Sequence, residues 1–360
     1  MDSLEQTSEN ENSVKSPKEV LANLKAYYNN EEIIRSIELR VDFTNDNNFF
    51  KSLKTFLNDF EDAHVINMLF CSSIEGITEE MDLYKRAEQS IIKTIDRPVF
   101  LINNDQIDIA ITTPWEKHIE DNLEAISKVI PAVGRIEITG DDRRNWIGTG
   151  WLLKNTCIVV TNKHVASKFA SSNEDGTYKM REDWMGDPYG VRIDFKEEHA
   201  TDEELEFDVK EVVYMPKGRE LDIALLRIDV QNHRGDQLPV GLELSYKIPS
   251  FKEKIYVVGY PTCFEDEVKR DEHFNGLVGI KQFAPGKFSK TGVHKYVYFH
   301  NCTTWNGNSG SPLLDFKSGK VIGIHFGGDT ENVERFRTNY AVSGLVLKDI
   351  LEELNIFYNH

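Results

Sequence analysis

Residues 304–312 read TWNGNSGSP. Glycine and asparagine tolerate left-handed backbone and proline stops a strand, so the run is written for a tight turn. A serine in such a turn is ordinarily a loop residue. It becomes a nucleophile only where a base can reach it and a third group orients that base. The reading of Ser309 therefore depends on what the rest of the chain brings to it.

Two upstream stretches supply the partner chemistry. Residues 157–167, CIVVTNKHVAS, run as an apolar strand into a turn carrying His164. Residues 220–228, ELDIALLRI, set Asp222 at the mouth of an apolar strand, where a carboxylate is costly unless something pairs with it. The order along the chain is His164, Asp222, Ser309, with separations of 58 and 87 residues.

Around these stretches the pattern is that of strands. From Ala132 onward apolar residues alternate with polar ones and glycines become frequent. Strands are expected over 134–138, 147–153, 157–161, 190–195, 207–214, 222–228, 254–260, 276–283, 296–300, 311–315, 321–328 and 340–342. So many short strands predict one or two antiparallel barrels. An amphipathic helix over 344–356 closes the chain, and the acidic run Glu197–Glu206 reads as a solvated loop.

With those residues in place, TNKHVA, DIALLRI and GNSGSP resemble the catalytic motifs of the trypsin-like (chymotrypsin-fold) serine proteases, in the right order. IGTGWLL is similar to the strand pair that precedes the histidine in that family. The resemblance covers about 132–350 and implies Ser309 as nucleophile, His164 as general base and acid, and Asp222 as orienter. It also implies an oxyanion hole made by the amides of Gly307 and Ser309. Where digestive-type enzymes carry an aspartate before the serine, this chain has Asn308, and the protease-like region starts in mid-chain. Activation by a freed amine pairing with that aspartate is thereby excluded.

GNSGSP with Asn308 resembles the bacterial branch that contains the glutamyl endopeptidases. That likeness implies Thr304 and His325 as holders of a substrate carboxylate, hence a preference for Glu or Asp before the scissile bond. Thr303, at the matching base of a trypsin-type pocket, carries no charge and argues against Arg or Lys there. Phe326, Gly327 and Gly328 would pair with the substrate backbone as an added strand. The competing reading is a catalytically inactive protease-fold scaffold used as a binding module or sensor.

Before residue 130 the chain has a different character, with Gly76 its only glycine. Residues 1–16 read as a disordered tail. Ser16-Pro17-Lys18-Glu19 is written as a helix start, and apolar residues recur at helical spacing beyond it. A helical adaptor-like bundle is expected over 17–96, a connector over 97–128 with a further helix from Pro114 to about Ile130, and the protease domain over 129–360. The expected fold is thus an all-α bundle followed by an all-β chymotrypsin-like double barrel with a C-terminal helix. The bundle's architecture resembles effector-associated domains fused to bacterial proteases, which implies an adaptor or sensor partner and a role in bacterial defence or signalling.

Composition bounds the partners. Forty-two Lys and Arg against sixty Asp and Glu leave a formal charge of −18, so neither nucleic acid nor an anionic membrane is the expected main partner. The N-terminus lacks the basic start and apolar core of a secretion signal, and no apolar run is long enough for a membrane span. Cys71, Cys157, Cys263 and Cys302 are too scattered for a zinc site. The expectation is a cytoplasmic enzyme acting on a protein or peptide, with no metal or organic cofactor.

Overall fold

The computed structural model describes residues 97–109, 113–139, 146–183, 185–218, 221–262, 277–292, 296–328 and 339–356. The tail and helical bundle expected over 1–96 lie outside the described residues, as do Cys71 and Cys263.

Two six-stranded antiparallel barrels follow one another along the chain. The first comprises β3 (Val133–Thr139), β4 (Trp146–Leu152), β5 (Ile158–Thr161), β8 (Gly190–Asp194), β9 (Glu206–Tyr214) and β10 (Ala224–Ile228). It closes in the order β10-β5-β4-β3-β8-β9. A hairpin of β6 (Ala170–Ser172) and β7 (Tyr178–Met180) stands between β5 and β8. The barrel is filled by Ile136, Val159, Ile193, Phe195, Phe207 and Leu226, all buried.

The second barrel comprises β11 (Lys254–Gly259), β12 (Gln282–Thr291), β13 (Val297–His300), β14 (Pro312–Asp315), β15 (Val321–Gly328) and β16 (Asn339–Ser343). It runs β11-β14-β15-β16-β13-β12 and closes by pairing β11 with β12. A buried cluster reaching from Trp151 through Tyr256, Tyr260 and Phe283 to Phe316 and Ile324 spans residues of both barrels.

The segment expected to be a connector is built into this second barrel. β1 (Phe100–Asn103) pairs with β12 in the register Phe100↔Phe283, and β2 (Gln106–Asp108) pairs with β1. Trp115 is buried and stacks on Phe316 at 5.7 Å between ring centroids. The helix expected from Pro114 is two pieces, α1 (Glu116–Asp121) and α2 (Leu123–Val129), followed by a single 3-10 turn. Asn122 parts them: its side chain donates to the His118 carbonyl, and its backbone leaves the helical region at φ −126°.

Three further expectations need correction. The strand expected over 276–283 begins at Gln282, because Gly279 has φ +78°, which no strand residue adopts. The acidic run is not uniformly solvated: Glu198 is buried against the equally buried Lys281, Nζ to Oε1 2.9 Å, and only such pairing makes a buried carboxylate tolerable. The closing helix, labelled α4 (Gly344–Glu353), ends short of 356. Asn355 is left-handed at φ +53° and the Ile356 amide turns back to the Leu351 carbonyl, a helix-terminating pattern. Among the described residues no helix is long and apolar enough to cross a membrane.

Candidate active site

The pairing of β5 with β10 decides where His164 and Asp222 meet. Thr161 lies opposite Ala224 in that antiparallel pair. The residues just beyond, His164 on the short helix α3 (Lys163–Ala166) and Asp222 before β10, therefore leave the sheet side by side. Asp222 uses both oxygens on the histidine: Oδ1 accepts the His164 backbone amide at 2.9 Å, and Oδ2 lies 2.6 Å from Nδ1. The buried Asn162 donates to the Asp222 carbonyl at 2.7 Å and fixes the same corner. His164 remains half exposed at its other edge, and its ring makes no hydrogen bond to Ser309.

Ser309 lies in the loop between β13 and β14, partly buried. Its carbonyl accepts the Thr149 amide from β4 at 2.9 Å, while Gly148 packs against Val165, next to His164. The serine is thereby held on the strand that supports the histidine turn. Gly307 has φ +88°, and a Cβ there would strike the Tyr260 carbonyl oxygen and lie 2.6 Å from Thr262 Cγ2. Only glycine fits, on conformation and on space alike.

The peptide planes of this loop are fixed from outside it. In a trans peptide the carbonyl and the amide that share a plane point opposite ways. The Asn306 carbonyl accepts Thr262 N–H at 2.5 Å and the Asn308 carbonyl accepts Ser311 N–H at 3.0 Å. The amides on the other side of those planes belong to Gly307 and Ser309. Neither donates to any described residue.

Beside the serine, Thr304 and His325 are both buried, at 6% and 3% exposure. Sequence reasoning missed a third member of this group. His300, at the end of β13, is fully buried, with Nε2 3.2 Å from His325 Nδ1. Burial pushes both imidazoles well below the usual histidine range, and His164 nearby lowers His325 further, to about 3. Both rings are therefore neutral at ordinary pH. The signal for His300 was present: it shares the inward period of Tyr298 in YVYFH. Thr303 turns its hydroxyl to the Arg97 carbonyl at 2.8 Å. From Phe326 on, β15 runs past its last pairing with β14, Pro312↔Ile324, so on that side Phe326, Gly327 and Gly328 have no partner strand among the described residues.

Among the described residues one acidic group has the spacing to hold a metal ion: Glu137, Asp194 and Glu197 bring carboxylate oxygens within 4.8 Å of one another. Arginines already occupy it. Arg135 donates to Glu137 Oε1 at 2.7 Å, and Arg192 to Glu137 Oε2 at 2.7 Å.

With the fold and this geometry in hand, the chain can be set beside known proteins. Residues 148–324 match the family model of the trypsin-like peptidase domain. The chain is 27% identical over 290 residues to a probable serine protease of Lysobacter enzymogenes, covering 71% of this chain and 72% of that one. It is 25% identical over 241 residues to exfoliative toxin A of Staphylococcus aureus, covering 62% and 70% respectively. The solved active form of the Rv3671c protease from M. tuberculosis aligns at 20% identity and a TM-score of 0.42, over 67% of this chain and 88% of that one. This chain thus carries a trypsin-like peptidase domain and has serine protease homologues.

Proposed function

We propose that the chain is a serine endopeptidase in which Ser309, His164 and Asp222 perform acyl transfer. The observation that carries this reading is the double grip of Asp222 on His164, backbone and ring, beside a serine loop with two undonated amides. Asp222 holds the proton on Nδ1, which leaves Nε2 as the base. The Ser309 hydroxyl loses its proton to Nε2 as its oxygen attacks the peptide carbonyl. The Gly307 and Ser309 amides then receive the oxyanion. Nε2 returns the proton to the leaving amine as the C–N bond breaks, and a water activated the same way hydrolyses the acyl-enzyme. The hydrogen bond from Ser309 to His164 closes when substrate fills the site.

The preferred residue before the scissile bond is Glu or Asp. The support is a tautomer argument. His300 Nδ1 is buried without a hydrogen-bond partner. A bare lone pair there costs less than an orphaned N–H, so His300 carries its proton on Nε2 and donates to His325 Nδ1. His325 then carries its own proton on Nε2, a donor available beside Thr304 for a carboxylate. The edge of β15 over Phe326 to Gly328, on the side away from β16, takes the extended backbone of the peptide.

A fluorophosphonate probe and a peptide library test the two parts separately. Labelling of the wild type at Ser309, absent in Ser309→Ala, is the expected result. A folded wild type that neither labels nor cleaves would leave the inactive-scaffold reading. Cleavage concentrated after basic or large apolar residues would remove the acidic preference alone.

A further inference from the structure

We propose that Thr149 is the positioning residue that keeps the oxyanion loop in its working geometry. The proposal rests on the serine-protease reading above and asks what holds its two amides in place.

Thr149 sits in β4 between Gly148 and Gly150 and is fully buried. Its amide donates to the Ser309 carbonyl at 2.9 Å, and its hydroxyl donates to the Gly307 carbonyl at 2.8 Å. The same hydroxyl accepts the Tyr260 amide from the second barrel at 3.1 Å. That acceptance directs the hydroxyl's single proton at Gly307. One residue thus grips the peptide planes on both sides of the one carrying the Ser309 amide.

The far ends of those two planes are held as well. Asn308 N–H donates to the Trp305 carbonyl at 3.0 Å and Gly310 N–H to the His325 carbonyl at 2.9 Å. The plane between Gly307 and Asn308 is the weak point, because a glycine flank lets a peptide rotate with little steric cost. On its carbonyl side the Thr149 hydroxyl is the one donor among the described residues. Rotation of that plane would re-aim the amides on either side of it. The threonine methyl adds nothing to this function; the hydroxyl does.

The test uses the full chain and a fluorogenic peptide chosen from its own cleavage profile, with kcat expressed per serine titrated by fluorophosphonate. Thr149→Val keeps the shape and removes the hydroxyl. It should lower kcat about 10- to 100-fold and leave KM within about twofold, since the oxyanion forms only in the transition state. A peptide aldehyde, whose adduct places an oxyanion in the hole, should bind more weakly by the same factor. Thr149→Ser should stay within about threefold of wild type. Should the valine variant not fold, Thr149→Cys takes its place: a weak donor of similar shape, expected to lose about tenfold in kcat with KM unchanged. Unaltered kcat in the folded valine or cysteine variant overturns the proposal, as does a serine variant that falls as far as valine. A wild type that is itself neither active nor labelled would count against the protease reading instead.

Discussion

Gly307→Ala is the substitution for which the structure allows the effect to be worked out in advance. The new methyl would be driven against the Tyr260 carbonyl and sit 2.6 Å from Thr262 Cγ2 and 2.9 Å from Thr262 N, all on one wall. Backbone oxygen and nitrogen cannot swing aside as a flexible side chain can, so the loop must retreat by roughly 1 Å to restore ordinary contact distances. Alanine at φ +88° adds strain of about 1–2 kcal/mol. The sum on stability is about 2–4 kcal/mol. The larger effect is on rate. The Gly307 amide is proposed to receive the oxyanion, and a donor displaced by about 1 Å costs about 10²-fold in turnover. Steady-state kinetics on the purified variant should show kcat down by about two orders of magnitude with KM changed by less than about threefold. Thermal unfolding should fall by several degrees in the same sample. A variant that keeps kcat within about threefold of wild type would refute the oxyanion assignment, however stable or unstable it proved to be.

Asp222→Asn should lower kcat by about 10⁴ with little change in unfolding temperature, because an amide pairs with the wrong histidine tautomer; a loss under about tenfold would remove Asp222 from the mechanism. Stability should fall as pH drops below about 6, since the unfolded chain then protonates His325 while the fold holds its pKa at about 3. The unfolded state binds the extra proton, so the loss grows between those limits to at most about 4–5 kcal/mol. Asp194, its carboxyl raised by burial, opposes this trend, so the diagnostic is the difference between wild type and His325→Gln. Parallel pH–stability curves would contradict the assignment. Removing residues 1–96 should leave a folded, active domain, whereas removing 1–128 should not. The longer deletion strips Phe100, Trp115, Ile119 and Ile126 from the core, about 6–12 kcal/mol of burial. Equal melting temperatures for the two fragments would refute that. If residues 17–96 recruit a partner rather than build the site, the 97–360 fragment should match the full chain in kcat/KM on a short peptide, and a large loss would end that reading.

The strands and the His164, Asp222 and Ser309 motifs were legible because each is local: a period of two, or a short run whose order along the chain carries the information. What could not be read depends on contacts distant in sequence. Trp115 looked like part of a connector because Phe316, the ring it stacks on, lies 201 residues away. Glu198 looked solvated because Lys281 was assigned to an apolar strand. Thr149 falls within the strand expected over 147–153. Nothing local marks its hydroxyl, whose partners come from residues 260 and 307.

Those partners also explain how a protease-like domain set in mid-chain can order its serine loop. Digestive-type relatives, by the resemblance drawn above, rely on a charged pair between a freed amine and the aspartate before the serine. Here Asn308 occupies that place, buried and neutral, with its Oδ1 and the Ser311 hydroxyl packed against Gly259. The carbonyls of Asn306, Gly307, Asn308 and Ser309 all accept hydrogen bonds, from Thr262, Thr149, Ser311 and Thr149 again. None of these donors needs a new chain end or carries a charge. A loop held this way is ordered as soon as the two barrels dock, because Thr149 comes from one barrel and Thr262 follows the first strand of the other. On this reading, restraint of the enzyme acts through access to the site or through its partners, since its serine loop is assembled by folding itself.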